Sequence, residues 1–340
     1  MHQINNALKR ITTSDKLYFD EQFMYGHREI LLNYSKKYNE SLTDSSILKG
    51  SIDHGWAFDE NLWKLRNRNL SRANRYVWNF RQEKLLSQVF PVKATGAPWL
   101  YMLNDLGISP ENLIEKLPKK HNKVLIFPSH NLDWEIKLDL SATLQSFKSR
   151  VDQNSVVVVC LFWLDFIDPK IRRLYLDEGW EVVCAGYCPR GATADSIHGG
   201  RQSFLLELFN IMSDADVILT DDLSTGLIYA LSLGVKVQYF TNTESLRWEK
   251  DSIRRHKNYK PMEGFYRTPR DWFENYFPSI FTTEYEPRSY VEFAWDELGY
   301  SAFNANIISK KFEWIERKVN INAINMYADG LKQIKSLRNL

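Results

Sequence analysis

The chain has 340 residues, with 44 Lys plus Arg against 42 Asp plus Glu, a formal net charge of +2 and 44% hydrophobic residues. This composition excludes wholesale disorder, and so nearly neutral a balance argues against a nucleic-acid partner. At roughly 150 residues per domain, the length suggests two domains.

Aromatic residues are abundant, with 19 Phe, 17 Tyr and 11 Trp. That ring surface suits a large core, and also sugar-binding or lipid-facing surfaces. The 3 cysteines, Cys160, Cys184 and Cys188, are too few for a disulfide framework and point to a reducing compartment. No second Cys/His pair lies near Cys184 and Cys188 at ligand spacing, so no metal is expected. The opening residues MHQINNALKR lack the apolar stretch of a signal peptide. The longest plainly apolar run, Val156 to Leu164, is far below the roughly 18 residues of a membrane span. The expectation is a soluble or peripheral protein of the cytoplasm.

In chain order, the patterning predicts short strands at Ile30–Asn33, Ile47–Ile52, Tyr76–Phe80 and Val89–Ala94, with helices at Glu60–Asn69 and Gln82–Gln88 between them. This reads as one α/β unit, and the polar stretch Pro118–Asn122 reads as the linker after it. From about 122 to 240, apolar β-rich runs alternate with amphipathic segments. Strands are predicted at Lys123–Pro128, Ser155–Trp163, Trp180–Ala185, Asp216–Thr220 and Lys236–Phe240. Helices are predicted at Ser141–Val151, Pro169–Glu178, Gln202–Ser213 and Thr225–Leu233, with Gly179 and Gly234 as stops. Near-continuous hydrophobic strands separated by helices mean a parallel sheet covered on both faces, a Rossmann-like domain. The tail after 245 reads as helical, with a long helix from about Lys310 to Ser336. An aromatic cluster of Trp272, Phe273, Tyr276, Phe277 and Phe281, near Lys260, Arg267 and Arg270, suits either a membrane interface or burial against the other domain.

Ligands of open parallel sheets sit beyond the carboxyl ends of the strands. The sharpest of the loops so selected opens TDDLSTGLIYALSLG, Thr220–Gly234. There a strand runs out at Thr220, Asp221 and Asp222 follow, and Ser224, Thr225 and Gly226 open a helix. Hydroxyls and free backbone N–H groups at a helix start make a phosphate cradle. The plain alternatives are an N-cap role for Ser224 and a turn role for the Asp pair. FPSHNLDWE, Phe127–Glu135, sets Ser129 and His130 directly after a strand, where an imidazole donates to a phosphate or ribose oxygen. Asp133 and Glu135 add carboxylates that serve as base or nucleophile. KGSIDHGWAFDE, Lys49–Glu60, runs a strand into Asp53, His54, Gly55 and Trp56, with His54 as a catalytic group and Trp56 as a flat face for a sugar ring. In AGYCPRGATADSIHGGR, Ala185–Arg201, Gly186 offers its backbone and Tyr187 a stacking ring, while Arg190 and Arg201 suit phosphate or carboxylate. The chain has no GxxxxGK[ST], no GxGxxG at a strand end and no GxSxG elbow, which removes the P-loop, dinucleotide and α/β-hydrolase readings.

These motifs in order, GSIDHGW, YVWNFRQEK, VKATGAPWLY, VLIFPSH, VVVVCLFWLDF, WEVVCAGY and DVILTDDLSTGLIYALSLGVKV, resemble GT-B glycosyltransferases of bacterial capsule and O-antigen synthesis that use CMP-activated acidic sugars. The resemblance covers about residues 50–240 and is strongest to retaining pseudaminic acid transferases, more distantly to Kdo and sialic acid transferases. It implies two Rossmann-like domains facing a cleft. An N-terminal acceptor domain would span 1–117, a donor domain 118–309, and a C-terminal helix over about 310–340 would return to the first. It places Ser129 and His130 at the CMP contact, where this chain has Asn131 in place of a relative's Pro. It also places Ser224 and Thr225 on the donor phosphate, His54 at the cleft, and Gly96–Pro98 at a structural turn. Asp53 stands where relatives often carry Gln.

The implied activity is transfer of a nonulosonic-type sugar from a CMP-sugar to a glycan or lipid-linked glycan, without metal or other cofactor. CMP would leave onto the Ser224 helix start, and an oxocarbenium-like sugar would be stabilised by carboxylates. The nucleophile of a retaining double displacement would be Asp133, Glu135 or Asp165. Closing the two domains would exclude water. The rival readings are a UDP- or GDP-linked neutral sugar on the same fold, and a non-catalytic glycan-binding scaffold.

Overall fold

The computed structural model describes residues 25–53, 55–56, 75–87, 91–113, 122–129, 136–186, 204–221, 224–240, 246–248, 287–307 and 312–316. The first described element is a helix, α1 (His27–Lys36), which buries Ile30, Leu31, Leu32 and Tyr34. A strand was expected at Ile30–Asn33. A run of adjacent apolar residues marks a buried helix as well as a strand, and here the helix prevails.

The strand expected at Ile47–Ile52 is split into β1 (Ser46–Leu48) and β2 (Ser51–Ile52) around Gly50, whose φ of 148° breaks the extended path. β2 continues into a parallel sheet with β3 (Arg75–Val77) and, after α2 (Phe80–Leu86), with β4 (Val92–Ala94). Asn79 starts α2 with a capping box: its side chain accepts from Gln82 N–H, and the Gln82 side chain reaches back to Asn79 N–H. α3 (Pro98–Asp105) follows, with Pro98 in its first turn and Trp99, Leu100 and Leu103 buried.

The second unit comprises β5 (Lys123–Phe127), β6 (Ile136–Leu138), α4 (Leu140–Lys148), β7 (Val156–Cys160), α5 (Trp163–Ile167), α6 (Pro169–Leu176), β8 (Glu181–Val183), α7 (Phe204–Ser213), β9 (Val217–Thr220), α8 (Thr225–Ser232), β10 (Lys236–Tyr239) and β11 (Leu246–Trp248). Five strands form a parallel sheet in the order β10-β9-β5-β7-β8, and β6 pairs antiparallel with β11. Alternate strand residues face opposite layers, as the period of two requires. Leu125, Val158, Ile218 and Val237 join the layer of α7 and α8. Ile126, Val157, Val159 and Leu219 join that of Leu144 and Phe147 on α4 and Ile171 and Tyr175 on α6. Asp139 and Asp168 cap α4 and α6 through their side chains. The fold is mixed α/β, with two parallel, Rossmann-like units.

The chain closes with α9 (Pro287–Glu297), α10 (Tyr300–Ile307) and β12 (Trp314–Glu316). The expected long helix from Lys310 is corrected here. Trp314–Glu316 is extended and pairs antiparallel with β1, Ile315 opposite Ile47. The chain thus meets the first unit both through α10, whose Ala302 packs with Val77 and Ala94, and through β12, while 317–340 lie outside the described residues. Of the proposed linker, only Asn122 is described.

The two units share one core. Trp99 stacks on Tyr229 at 4.3 Å and 11° and donates its indole N–H to Ser232 Oγ at 3.0 Å, while Trp295 donates to the Ser232 carbonyl at 2.8 Å. Gly299, at φ +82°, passes so close to Trp78 that a Cβ would stand 1.8 Å from its carbonyl oxygen. Among the described residues, no helix is long and apolar enough to cross a membrane.

Candidate functional site

The strand order fixes where a ligand belongs. From β5 the chain winds outward through β7 to β8, then returns to β9 on the other side of β5 and continues to β10. The α4 and α8 connections therefore lie on opposite faces, and the topological switch point falls between β5 and β9. Ser129, just past β5, donates its backbone N–H to Asp221 Oδ1, just past β9, at 2.7 Å. The two expected loops thus meet at the switch point, and the Asp221 carboxylate holds the β5 turn.

Ser224 precedes α8 in an extended conformation (φ −93°, ψ 173°), and its hydroxyl makes no capping bond. Thr225 Oγ1 accepts the backbone N–H of Trp56 at 2.8 Å. As an acceptor there, the hydroxyl keeps its own proton for a further bond. Gly55 lies against the same hydroxyl, since a Cβ on it would stand 2.9 Å from Thr225 Oγ1. Gly226 follows in the first turn of α8, half-buried. The loop beyond β2 is thereby seated on the start of α8, across the two units.

Asp53, expected as a catalytic group, is held from several sides. It is buried and ion-paired with Arg75, its N–H donates to the Tyr76 carbonyl at 3.0 Å, and its carbonyl accepts Trp78 Nε1–H at 2.9 Å. The Asp-His-Gly-Trp segment is fixed on both sides of residue 54. On the far side Trp56 donates Nε1–H to Glu297 Oε2 at 2.8 Å, and Arg81 Nη2 lies 2.8 Å from both Glu297 oxygens. Burial raises the pKa of Glu297, and Arg81 and the Trp56 bond pull it back.

Asp165, on α5 beyond β7, is buried, and its pKa is pushed up to about 7, by burial first and by Asp168 second. Such a carboxyl carries a proton through much of the range near neutrality, which suits a proton donor better than the expected nucleophile. Burial, with the carboxylates of Asp221 and Asp165 in that order, raises the pKa of the Tyr175 phenol. Gly186 lies apart, beyond the edge strand β8, where its N–H meets Cys184 Sγ at 3.4 Å. His54, His130, Asp133, Glu135 and Tyr187 lie outside the described residues, as do Arg190, Arg201 and the aromatic cluster at 272–281. Among the described residues, no group of three or more His, Cys, Asp or Glu could hold a metal ion. Sequence reasoning missed Glu297 and Arg75, whose partners are far away in the chain.

No known family and no curated protein matches the chain. Two solved structures are similar to part of it. One is the UDP-GlcNAc 2-epimerase from Neisseria meningitidis bound to UDP-GlcNAc, 15% identical over 68% of this chain and 60% of that one, with a TM-score of 0.32. The other is Os79 from O. sativa in complex with UDP, 9% identical over 66% of this chain and 55% of that one, with a TM-score of 0.28. The chain thus spans less than two thirds of the length of either.

Proposed function

We propose that the chain is a GT-B-type glycosyltransferase that takes a nucleotide-linked sugar between the start of α8 and the loop 53–56, with a CMP-linked acidic sugar as donor. The observation that carries the reading is the Trp56 N–H bond to Thr225 Oγ1, which sets a loop from one unit on a helix start at the switch point of the other. The leaving phosphate would take the first N–H groups of α8 and the hydroxyls of Ser224 and Thr225, where the helix dipole favours an anion. The bond from the anomeric carbon to the phosphate oxygen breaks, the acceptor hydroxyl oxygen bonds to that carbon, and a base takes the hydroxyl proton. His54 is the assigned base, flanked by neighbours fixed through Arg75, Thr225 and Glu297. Asp165, its pKa pushed up to about 7, is only partly charged near neutrality, which lowers the negative charge beyond the carboxyl ends of the strands. The CMP assignment rests on the motif resemblance.

Calorimetric titration with CMP, UDP and GDP tests the reading. CMP is expected to bind most tightly, with Ser224→Ala weakening it about tenfold, the ~1.4 kcal/mol of one hydrogen bond to a charged oxygen. UDP or GDP as the sole binder would replace the donor. No nucleotide binding by folded protein would leave the glycan-binding scaffold.

A further inference from the structure

A cavity of about 160 Å³ opens beyond the carboxyl end of β3, between the start of α2 and the α9–α10 junction. It lies on the edge of the first sheet where parallel folds place ligands. Its volume is well under the ~300–1,000 Å³ of pockets for drug-sized ligands, so it fits one ring and not a nucleotide. Its lining is chemically divided. Phe80 is 48% exposed and offers an apolar ring. Arg81, its side chain 49% exposed, stands with Asp296 and Ser301, both exposed, and with buried Glu297 behind.

An aromatic surface beside multidentate donors and acceptors matches a pyranose. Its C–H face packs on the ring, and its hydroxyls donate to carboxylates and accept from the guanidinium. Two carboxylates against one guanidinium disfavour an anion and favour a neutral sugar. The cavity is also connected to the site already described. The Glu297 carboxylate that accepts from Arg81 also accepts Trp56 Nε1–H at 2.8 Å, and the Trp56 backbone N–H reaches Thr225 at 2.8 Å.

We propose that this cavity is a subsite for one neutral sugar ring of a glycan, joined through Glu297 and Trp56 to the start of α8. Its role in holding the acceptor rests on the transferase reading; its binding of a sugar does not.

Saturation-transfer NMR tests the subsite with the methyl glycosides of glucose, galactose, N-acetylglucosamine and N-acetylgalactosamine, on the full chain and on Phe80→Ala and Ser301→Trp. Wild-type protein is expected to bind at least one of these probes. Phe80→Ala weakens that binding about tenfold, the loss of one aromatic contact worth ~1.4 kcal/mol. Ser301→Trp fills the cavity from an exposed position and abolishes binding, while circular dichroism reports both variants folded. Failure of every glycoside to bind wild-type protein, or binding unchanged in both variants, overturns the subsite. CMP titrated on the same samples separates the two readings. Variant-sensitive glycoside binding without any nucleotide binding keeps the subsite and removes the transferase; CMP binding with insensitive glycoside binding does the reverse.

Discussion

Gly55→Ala probes the contact between the units with almost nothing else disturbed. Gly55 does not occupy the left-handed region, so the strain in alanine comes from what its Cβ meets, which among the described residues is Thr225 Oγ1 at 2.9 Å. Threonine is stiff at χ1. Moving the hydroxyl aside costs about 0.5–1.5 kcal/mol in rotamer strain and forfeits the Trp56 N–H bond, worth about 0.5–1.5 kcal/mol net. Gly55→Ala should therefore destabilise by about 1–3 kcal/mol. In a Thr225→Ala background the obstructing oxygen is gone, and among the described residues beyond its chain neighbours no other atom lies within 4 Å of the new Cβ. The same change should then be neutral, or stabilising by about 0.4–1 kcal/mol through the unfolded chain.

Urea denaturation of the four proteins in this cycle should give a coupling energy of at least about 1 kcal/mol. CMP affinity should fall in Gly55→Ala, because the displaced Thr225 hydroxyl is one of the groups assigned to the phosphate. Additivity within about 0.3–0.5 kcal/mol would mean that the loop does not sit on α8, and the functional reading would lose its foundation with it.

Asp165→Asn should change how stability depends on pH. The folded pKa of about 7 lies above the ordinary value of 3.8, so native protein holds the proton more tightly than unfolded chain does, and wild-type stability falls as pH rises from about 4 through 7. Thermal melts should show the variant gaining on wild type above pH 7, by at most about 4 kcal/mol at ~1.36 kcal/mol per unit, with the gain vanishing at pH 4; a pH-independent difference would refute this. Glu297→Ala should cost about 1–3 kcal/mol in a urea melt, because it strands the buried Trp56 indole N–H, while Glu297→Gln, which retains an acceptor for Trp56, should cost less. Gly299→Ala combines a φ of +82° with a 1.8 Å clash against Trp78 and should leave little folded protein by circular dichroism.

The second unit was legible because its strands are short, β-branched and bounded by polar or glycine turns. Val157–Cys160, buried between two helical layers, has no polar face to confuse the period. The carboxyl-end rule then brought Ser129 and Asp221 into view before their contact was known. The first unit resisted for physical reasons. Ile30, Leu31 and Leu32 are consecutive apolar residues, and only tertiary contacts choose between helix and strand for them. Trp314–Glu316 is extended because β1 supplies its hydrogen bonds, and no local pattern encodes a partner at Ser46–Leu48. Glu297 was invisible for the same reason: its role is defined by Trp56, 241 residues away. Asp53 was visible but its partner was not, since the ion pair with Arg75 depends on the register of β2 against β3.

The seam around Trp99 and Tyr229 constrains how the site works. Rings of this size bury about 150–250 Å² each, which at ~25 cal/mol per Å² is about 4–6 kcal/mol. Parting that stack would expose the facing sides of both rings and break the Trp99 bond to Ser232. A closure of two domains that pivots at this seam would have to break that contact. The last turns of α8 are clamped by tryptophans, and its first turn, a few residues away, is held against the loop 53–56. A helix fixed at both ends presents its N–H groups to a ligand already oriented, so little ordering entropy opposes binding there. The Gly55–Thr225 cycle measures one end of that arrangement. At the other end, Trp99→Phe, which keeps a ring on Tyr229 and removes the indole N–H, should cost about 1 kcal/mol in a urea melt; no change would mean that the bond to Ser232 does not hold the helix.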